Sequence, residues 1–119
     1  MNHSFYILDA ARNPVPATPE QAEETLANPQ KRRVAHSLVG PYKVSTVFLA
    51  VNHAFKEGPP VLFETMTFEG ACWVDIEIPD GPETGKRYCT WAEAEAGHAS
   101  IVAGLKAWLK AQGQSQPHG

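Results

Sequence analysis

Along residues 33–55 apolar side chains recur at every second position, whereas from Ala94 to Leu109 they recur at every third or fourth. The first period belongs to strands and the second to a helix with one apolar face. Val34, His36 and Leu38 alternate with Arg33, Ala35, Ser37 and Val39 as in a half-buried strand, and Gly40-Pro41 then turns the chain. Residues 43–55 carry the strongest strand signal. Ser45, Val47, Leu49, Val51, His53 and Phe55 share one face, and Val44, Thr46, Phe48, Ala50 and Asn52 the other. Both faces are largely apolar, which places this strand centrally in a sheet. After a loop at Glu57-Gly58-Pro59-Pro60, Val61 to Phe68 returns as its hairpin partner with Leu62, Glu64, Met66 and Phe68 on one face. Cys72, Val74, Ile76 and Ile78 alternate inward with Trp73, Asp75 and Glu77 outward; an exposed loop over residues 79–85 follows, and Arg87 to Cys89 form a last short strand.

The ends of the chain add the helices. Phe5 to Leu8 reads as an edge strand, and Asn13-Pro14-Val15-Pro16 then forbids regular structure. Thr18-Pro19-Glu20-Gln21 has the N-cap threonine, first-position proline and capping-box glutamine of a helix start. That helix is short, because Asn28-Pro29 stops it, and its apolar pair is Ala22 and Leu26. Thr90-Trp91-Ala92-Glu93 is a second capping box. The helix it opens runs to about Ala111, and its Ala94, His98, Ile101, Val102, Leu105, Trp108 and Leu109 form the face that covers the sheet. The pattern predicts an α+β fold, an antiparallel sheet of about five strands packed against a C-terminal helix with a short N-terminal helix. It predicts one domain over residues 1–112 and a disordered tail over residues 113–119.

Composition narrows the function. A chain of 119 residues with 43% hydrophobic and 19% charged residues is neither disordered nor membrane-like, and no apolar run approaches the roughly 20 residues that span a bilayer. Met1-Asn2-His3-Ser4 shows no export signal, so the expectation is a cytoplasmic protein without a membrane partner. The net charge of −3 supplies no basic field for phosphate backbones, which argues against nucleic acid as a partner. The basic run Lys31-Arg32-Arg33 reads as the solvated start of a strand, with nucleic-acid contact as the alternative. Cys72 and Cys89 have no CxxC spacing and no partner cluster, and read as free thiols that serve as small hydrophobes.

Some residue types could still carry chemistry. His53 shares a face with Val47, Leu49, Val51 and Phe55, His98 lies on the inward face of its helix, and Glu64 sits within an apolar run, where a buried carboxylate needs a partner; the alternative is that Glu64 faces solvent on the exposed side of the hairpin. If they converged, His53, Glu64 and His98, with Asp75, would make a metal or proton-transfer site of a small hydrolase. No HExxH, GxSxG or phosphate-binding glycine motif accompanies them, so the alternative is hydrogen-bonded structural histidines, and no metal or other cofactor is expected. Cys89 lies before a helix N-terminus that would favour its thiolate, with His98 as its base. Tyr6, Trp73, Tyr88 and Trp91, with Arg33, are the residue types that binding patches use most, and the alternative is a core role for the aromatics.

Three stretches carry a resemblance. They are Arg32-Arg33-Val34-Ala35; Val44-Ser45-Thr46-Val47-Phe48-Leu49 through His53 and Phe55 to Gly58-Pro59-Pro60-Val61-Leu62-Phe63-Glu64-Thr65-Met66; and Arg87-Tyr88-Cys89-Thr90-Trp91-Ala92-Glu93-Ala94 with Gly97-His98. With Tyr6-Ile7-Leu8-Asp9 and Pro14-Val15-Pro16 they cover about two thirds of the chain, which resembles a family of small uncharacterised proteins encoded by bacteriophages and prophages. Asn52 departs from the aspartate usual before the histidine, and the first helix is poorer in tryptophan and phenylalanine. The resemblance implies a phage or prophage setting in a bacterial host and carries over no catalytic role. The leading expectation is an accessory protein that binds a host protein or a small nucleotide-like ligand during takeover or counter-defence. The second is the hydrolase or metal enzyme above, and the third a virion or assembly component that forms a homo-oligomer through an exposed sheet edge.

Overall fold

The computed structural model describes residues 4–54, 57–71 and 75–115. Its elements in chain order are β1 (Tyr6–Leu8), β2 (Pro14–Pro16), α1 (Pro19–Leu26), α2 (Pro29–Arg32), β3 (Arg33–Val39), β4 (Tyr42–Phe48), β5 (Phe63–Glu69), β6 (Lys86–Tyr88) and α3 (Trp91–Ser115). β3, β4, β5 and β6 form an antiparallel sheet in that order, and β1 and β2 form a separate antiparallel pair. The chain therefore has the expected α+β architecture.

β4 is an inner strand, as expected; the β4–β5 hairpin is in unbroken register, whereas the β3–β4 hairpin shifts register once, between Arg33 and Ala35. Val39 pairs with Tyr42 across the two-residue loop Gly40-Pro41, where Gly40 supplies a φ of 56°. Tyr42 to Phe48 then pairs with Glu69 to Phe63. The face of β4 and β5 that carries Val44, Thr46, Phe48, Phe63, Thr65 and Thr67 is fully buried, and α3 covers it. The opposite face, with Ser45, Val47, Glu64 and Met66, is half-exposed.

The run read as one strand over residues 43–55 breaks at Phe48, and Phe55 lies outside the described residues. Ala50 takes a left-handed φ of 62°, which kinks the extended chain. Past the kink the backbone pairs instead with the N-terminal segment: Tyr6 N–H donates to the Ala50 carbonyl and Asn52 N–H to that of Ser4. The prolines expected to exclude regular structure instead form β2, for a local reason. Asp9 N–H donates to the Asn13 carbonyl and Ala17 N–H to that of Phe5, so by alternation the positions of Pro14 and Pro16 are those whose amide would face away from β1.

The run over residues 72–78 also differs from expectation. Residues 72–74 lie outside the described set, Asp75 makes only an isolated bridge to Phe68, and residues 76–78 form no strand. The in–out alternation survives, with Ile76 and Ile78 against the core and Asp75 and Glu77 exposed. α1 has the expected capping box between Thr18 and Gln21, but it buries Ala22 and Thr25, and Leu26 is 37% exposed. α3 is capped by reciprocal bonds between Thr90 and Glu93 and extends to Ser115, past the expected end at Ala111 and into the expected tail.

The apolar core has two parts. One gathers Tyr6, Ala22, Phe48, Ala50, Leu62, Phe63, Tyr88 and Ala94, the other Val39, Tyr42, Val44, Ile101 and Leu105. Along β4 and β5 the buried threonines Thr46, Thr65 and Thr67 separate them, and His98 of α3 is buried there too. The position of that polar seam sets the site described next.

Candidate functional site

Threonine is a strand residue with one hydroxyl, and a buried hydroxyl needs a partner. Thr67 donates to the Thr84 carbonyl at 2.7 Å, while Thr46 and Thr65 bond to each other and to their side-chain neighbours. Thr46 of β4 and Thr65 of β5 are directly opposite in the register and their hydroxyls share a short hydrogen bond of 2.5 Å. Thr65 Oγ1 also lies 3.0 Å from the Tyr88 hydroxyl of β6, and Thr46 Oγ1 lies 2.7 Å from His98 Nδ1. The other ring nitrogen of His98, Nε2, lies 2.8 Å from Ser37 Oγ of β3. A relay of hydrogen bonds thus crosses the sheet beneath α3, from Ser37 through His98, Thr46 and Thr65 to Tyr88. Burial, with a smaller contribution from His36, holds the His98 pKa below its usual 6.5. Burial likewise raises the Tyr88 phenol, against a lowering by the Thr65 bond. Gly97 makes the close approach of Tyr88 tolerable, since a Cβ there would lie 2.1 Å from the ring.

A second feature lies at the N-terminal end of α3. A cleft of about 480 Å³ is lined by Ile7, Leu8, Arg12, Gln21, Glu24, Thr25, Gln30, Lys31, Arg33 and Trp91. Its three cations come from three places: Arg12 from the β1–β2 turn, Lys31 from α2, and Arg33 from the first residue of β3. They face one carboxylate, Glu24, which pairs with Lys31 at 3.5 Å. The intervening Arg32 is turned elsewhere, its Nε donating to the Phe48 carbonyl at 3.2 Å. Arg12 adopts a left-handed φ of 66° in a turn tied by the Asp9 carboxylate, which accepts from the amides of Ala11 and Asn13. This sets the guanidinium over the Trp91 ring, 4.6 Å from its centroid. Trp91 packs edge-on against Phe63 of the core, and its buried indole Nε1 has no partner among the described residues.

The residues singled out from sequence are distributed unevenly over these features. His53, Glu64 and His98 do not converge. Glu64 is on the outer face of β5, where Arg87, its cross-strand neighbour, donates from Nε to Oε2 at 3.0 Å, while His98 is on the covered face. His53 is exposed beyond the end of β4, and its backbone amide donates to the Val61 carbonyl. Asp75 lies with Glu64, Glu77, Glu83, Lys86 and Arg87 around a separate depression of about 470 Å³. Among the described residues no group of three or more histidine, cysteine, aspartate or glutamate side chains is placed to hold a metal ion.

The pairing of Cys89 with His98 also fails. Both ring nitrogens of His98 are engaged by hydroxyls, and burial together with Glu93 raises the Cys89 pKa instead of lowering it. Of the aromatic anchors, Tyr6 and Tyr88 are buried in the core, Trp73 lies outside the described residues, and Trp91 reaches the cleft together with Arg33. Cys89 is a free thiol, and Cys72 is among the residues not described. Asn52 staples the following loop, its Oδ1 accepting from the amides of Ala54 and Val61. An aspartate would accept the same two bonds, so the departure at this position leaves the loop's geometry intact.

In the sequence Ser37, Thr46 and Thr65 of the relay are ordinary strand positions, Lys31 of the cleft belongs to a basic run that reads as solvated, and nothing marks Arg12. Only the inward position of His98 and the alternation of the threonines with outward residues signalled the relay. No local pattern joins Arg12 to Arg33. No described helix is long and apolar enough to cross a membrane. Comparisons with known protein families, with curated proteins and with solved structures found no match to this chain.

Proposed function

We propose that this protein is a small accessory protein, of the phage type its sequence resembles, that binds a small anionic ligand of the mononucleotide class in the cleft between Arg12, Lys31, Arg33 and Trp91. The observation that carries this reading is the gathering of three cations from separate elements around one aromatic wall in a chain whose net charge is −3. Cations dispersed on a surface offer little to a ligand, but three around one concavity lower the free energy of a phosphate held among them. Ile7, Leu8 and the part of Trp91 that Arg12 leaves uncovered supply an apolar wall for a base, and Gln30, with the amide nitrogen of Gln21 whose oxygen caps α1, supplies polar groups for its edge. The backbone strain at Arg12 fits the same reading, because a non-glycine residue in left-handed backbone costs about 1–2 kcal/mol and is retained where its side chain is needed.

The test is thermal denaturation of the purified chain with a panel of nucleoside mono-, di- and triphosphates, cyclic nucleotides, inorganic phosphate and uncharged nucleosides. One or more nucleotides raise the Tm, nucleosides do not, and added salt reduces the shift. Arg33→Ala removes the shift without lowering the Tm of the free protein. An unchanged Tm across the panel at millimolar ligand overturns the proposal.

A host protein is the second reading within the same accessory role, and its contact would fall on the outer face of the sheet. The observation that favours it is Leu38 of the β3 edge strand, 71% exposed at one side of that face.

A further inference from the structure

A serine hydroxyl is a weak nucleophile until a neighbouring base takes its proton, and the base must itself be held in place by a third group. Ser37 Oγ is 2.8 Å from His98 Nε2, and Thr46 Oγ1 holds His98 Nδ1 at 2.7 Å. Thr46 is fixed in turn by Thr65, and Thr65 by Tyr88, so the imidazole has little freedom to turn. The pair borders an open depression of about 380 Å³ lined by Ser37, His98, Ala99, Val102, Ala103 and Lys106. His98, Val102 and Lys106 recur four residues apart along one stripe of α3, with the small side chains Ala99 and Ala103 beside them. His98 is seven residues from Trp91, about 10 Å of helix rise, so this depression and the basic cleft are separate places.

We propose that Ser37 and His98 form a nucleophile and base pair that takes a short acyl group from an activated ester. Ser37 Oγ bonds to the acyl carbon while its proton passes to His98 Nε2; the ester's C–O bond breaks and the leaving oxygen takes that proton from Nε2. Water then gives a proton to Nε2 and its oxygen to the acyl carbon, the serine ester bond breaks, and Ser37 recovers its proton as the carboxylic acid leaves. The alanines leave room for a short acyl chain, and Lys106 brings a positive charge to the rim for the developing oxyanion or an anionic substrate group. Burial favours the uncharged imidazole that this step requires at neutral pH.

The relay has two polarities, and only one of them serves. With the proton on Nδ1, His98 donates to Thr46, and Thr46 to Thr65, which leaves Nε2 free to accept from Ser37. With the proton on Nε2, the chain runs the other way and His98 donates to Ser37, which cannot then be activated.

The experiment treats the full chain with p-nitrophenyl acetate and with an alkyl fluorophosphonate, follows p-nitrophenol release and adduct mass, and maps the modified residue. Nitrogen-15 NMR of the unmodified protein gives the His98 tautomer. The expected result is one adduct, on Ser37, its loss in Ser37→Ala together with at least a ten-fold drop in p-nitrophenol release, and an Nδ1–H tautomer in the wild type. An adduct elsewhere, no adduct, release unaffected by Ser37→Ala, or an Nε2–H tautomer overturns the proposal. The tautomer is read on the wild type, so the test stands even if a variant folds poorly.

Discussion

Arg12 separates ligand binding from stability at a single residue. Its left-handed φ of 66° is one that glycine adopts without cost, while its guanidinium covers the Trp91 ring. Arg12→Gly therefore removes strain and a cation–π contact that are each of order 1 kcal/mol, and urea denaturation is expected to change by less than about 1 kcal/mol while nucleotide binding is lost. Thr46 behaves in the opposite way. Thr46→Val keeps the shape of the side chain but strips Nδ1 of His98 and Oγ1 of Thr65 of a shared partner in a buried seam, a loss of about 1–3 kcal/mol by the same measurement. The sequence placed His98 on the inward face of its helix, because periodicity assigns faces. It did not reveal which side chains meet across that interface, so Ser37, Thr46 and Thr65 read as ordinary strand positions.

Among the elements, β5 and β6 are joined on their outer face by the Glu64–Arg87 pair, with 22% and 43% of the two side chains exposed. A half-exposed pair of this kind contributes at most about 1 kcal/mol, and a double-mutant cycle over Glu64→Ala and Arg87→Ala is expected to return a coupling within that limit. A much larger coupling would mean that Glu64 is more desolvated than its position indicates. The helices and the β4–β5 hairpin were legible from capping boxes and from alternation. The break at Ala50 was not, since alanine in left-handed backbone leaves no mark in the sequence. β2 was hidden for the converse reason. Prolines at Pro14 and Pro16 read as breakers, and only the pairing with β1 shows that the amides they lack would face away from that strand.

At the scale of the whole molecule, the basic cleft escaped notice because net charge averages over the chain, whereas folding collects Arg12, Lys31 and Arg33 in one place. The buried relay ties stability to pH. His98 binds a proton near 6.5 in the unfolded chain and only at lower pH in the folded one, so the unfolded state takes up more protons as the pH falls between those values. The His98 contribution is intact above about pH 6.5 and is lost as the pH drops through that window. The urea midpoint of the wild type is expected to fall between pH 7.5 and pH 5 by more than that of His98→Gln; equal falls would mean that His98 does not set this dependence. The central claim, that the cleft is a binding site for an anionic ligand, is tested most directly by an NMR titration of the chain with the nucleotide that most raises its Tm. The predicted result is saturable shifts confined to Trp91, Arg12, Lys31, Arg33 and their neighbours, including the Trp91 indole N–H. Shifts that map to the outer face of the sheet, or none at all, would contradict it.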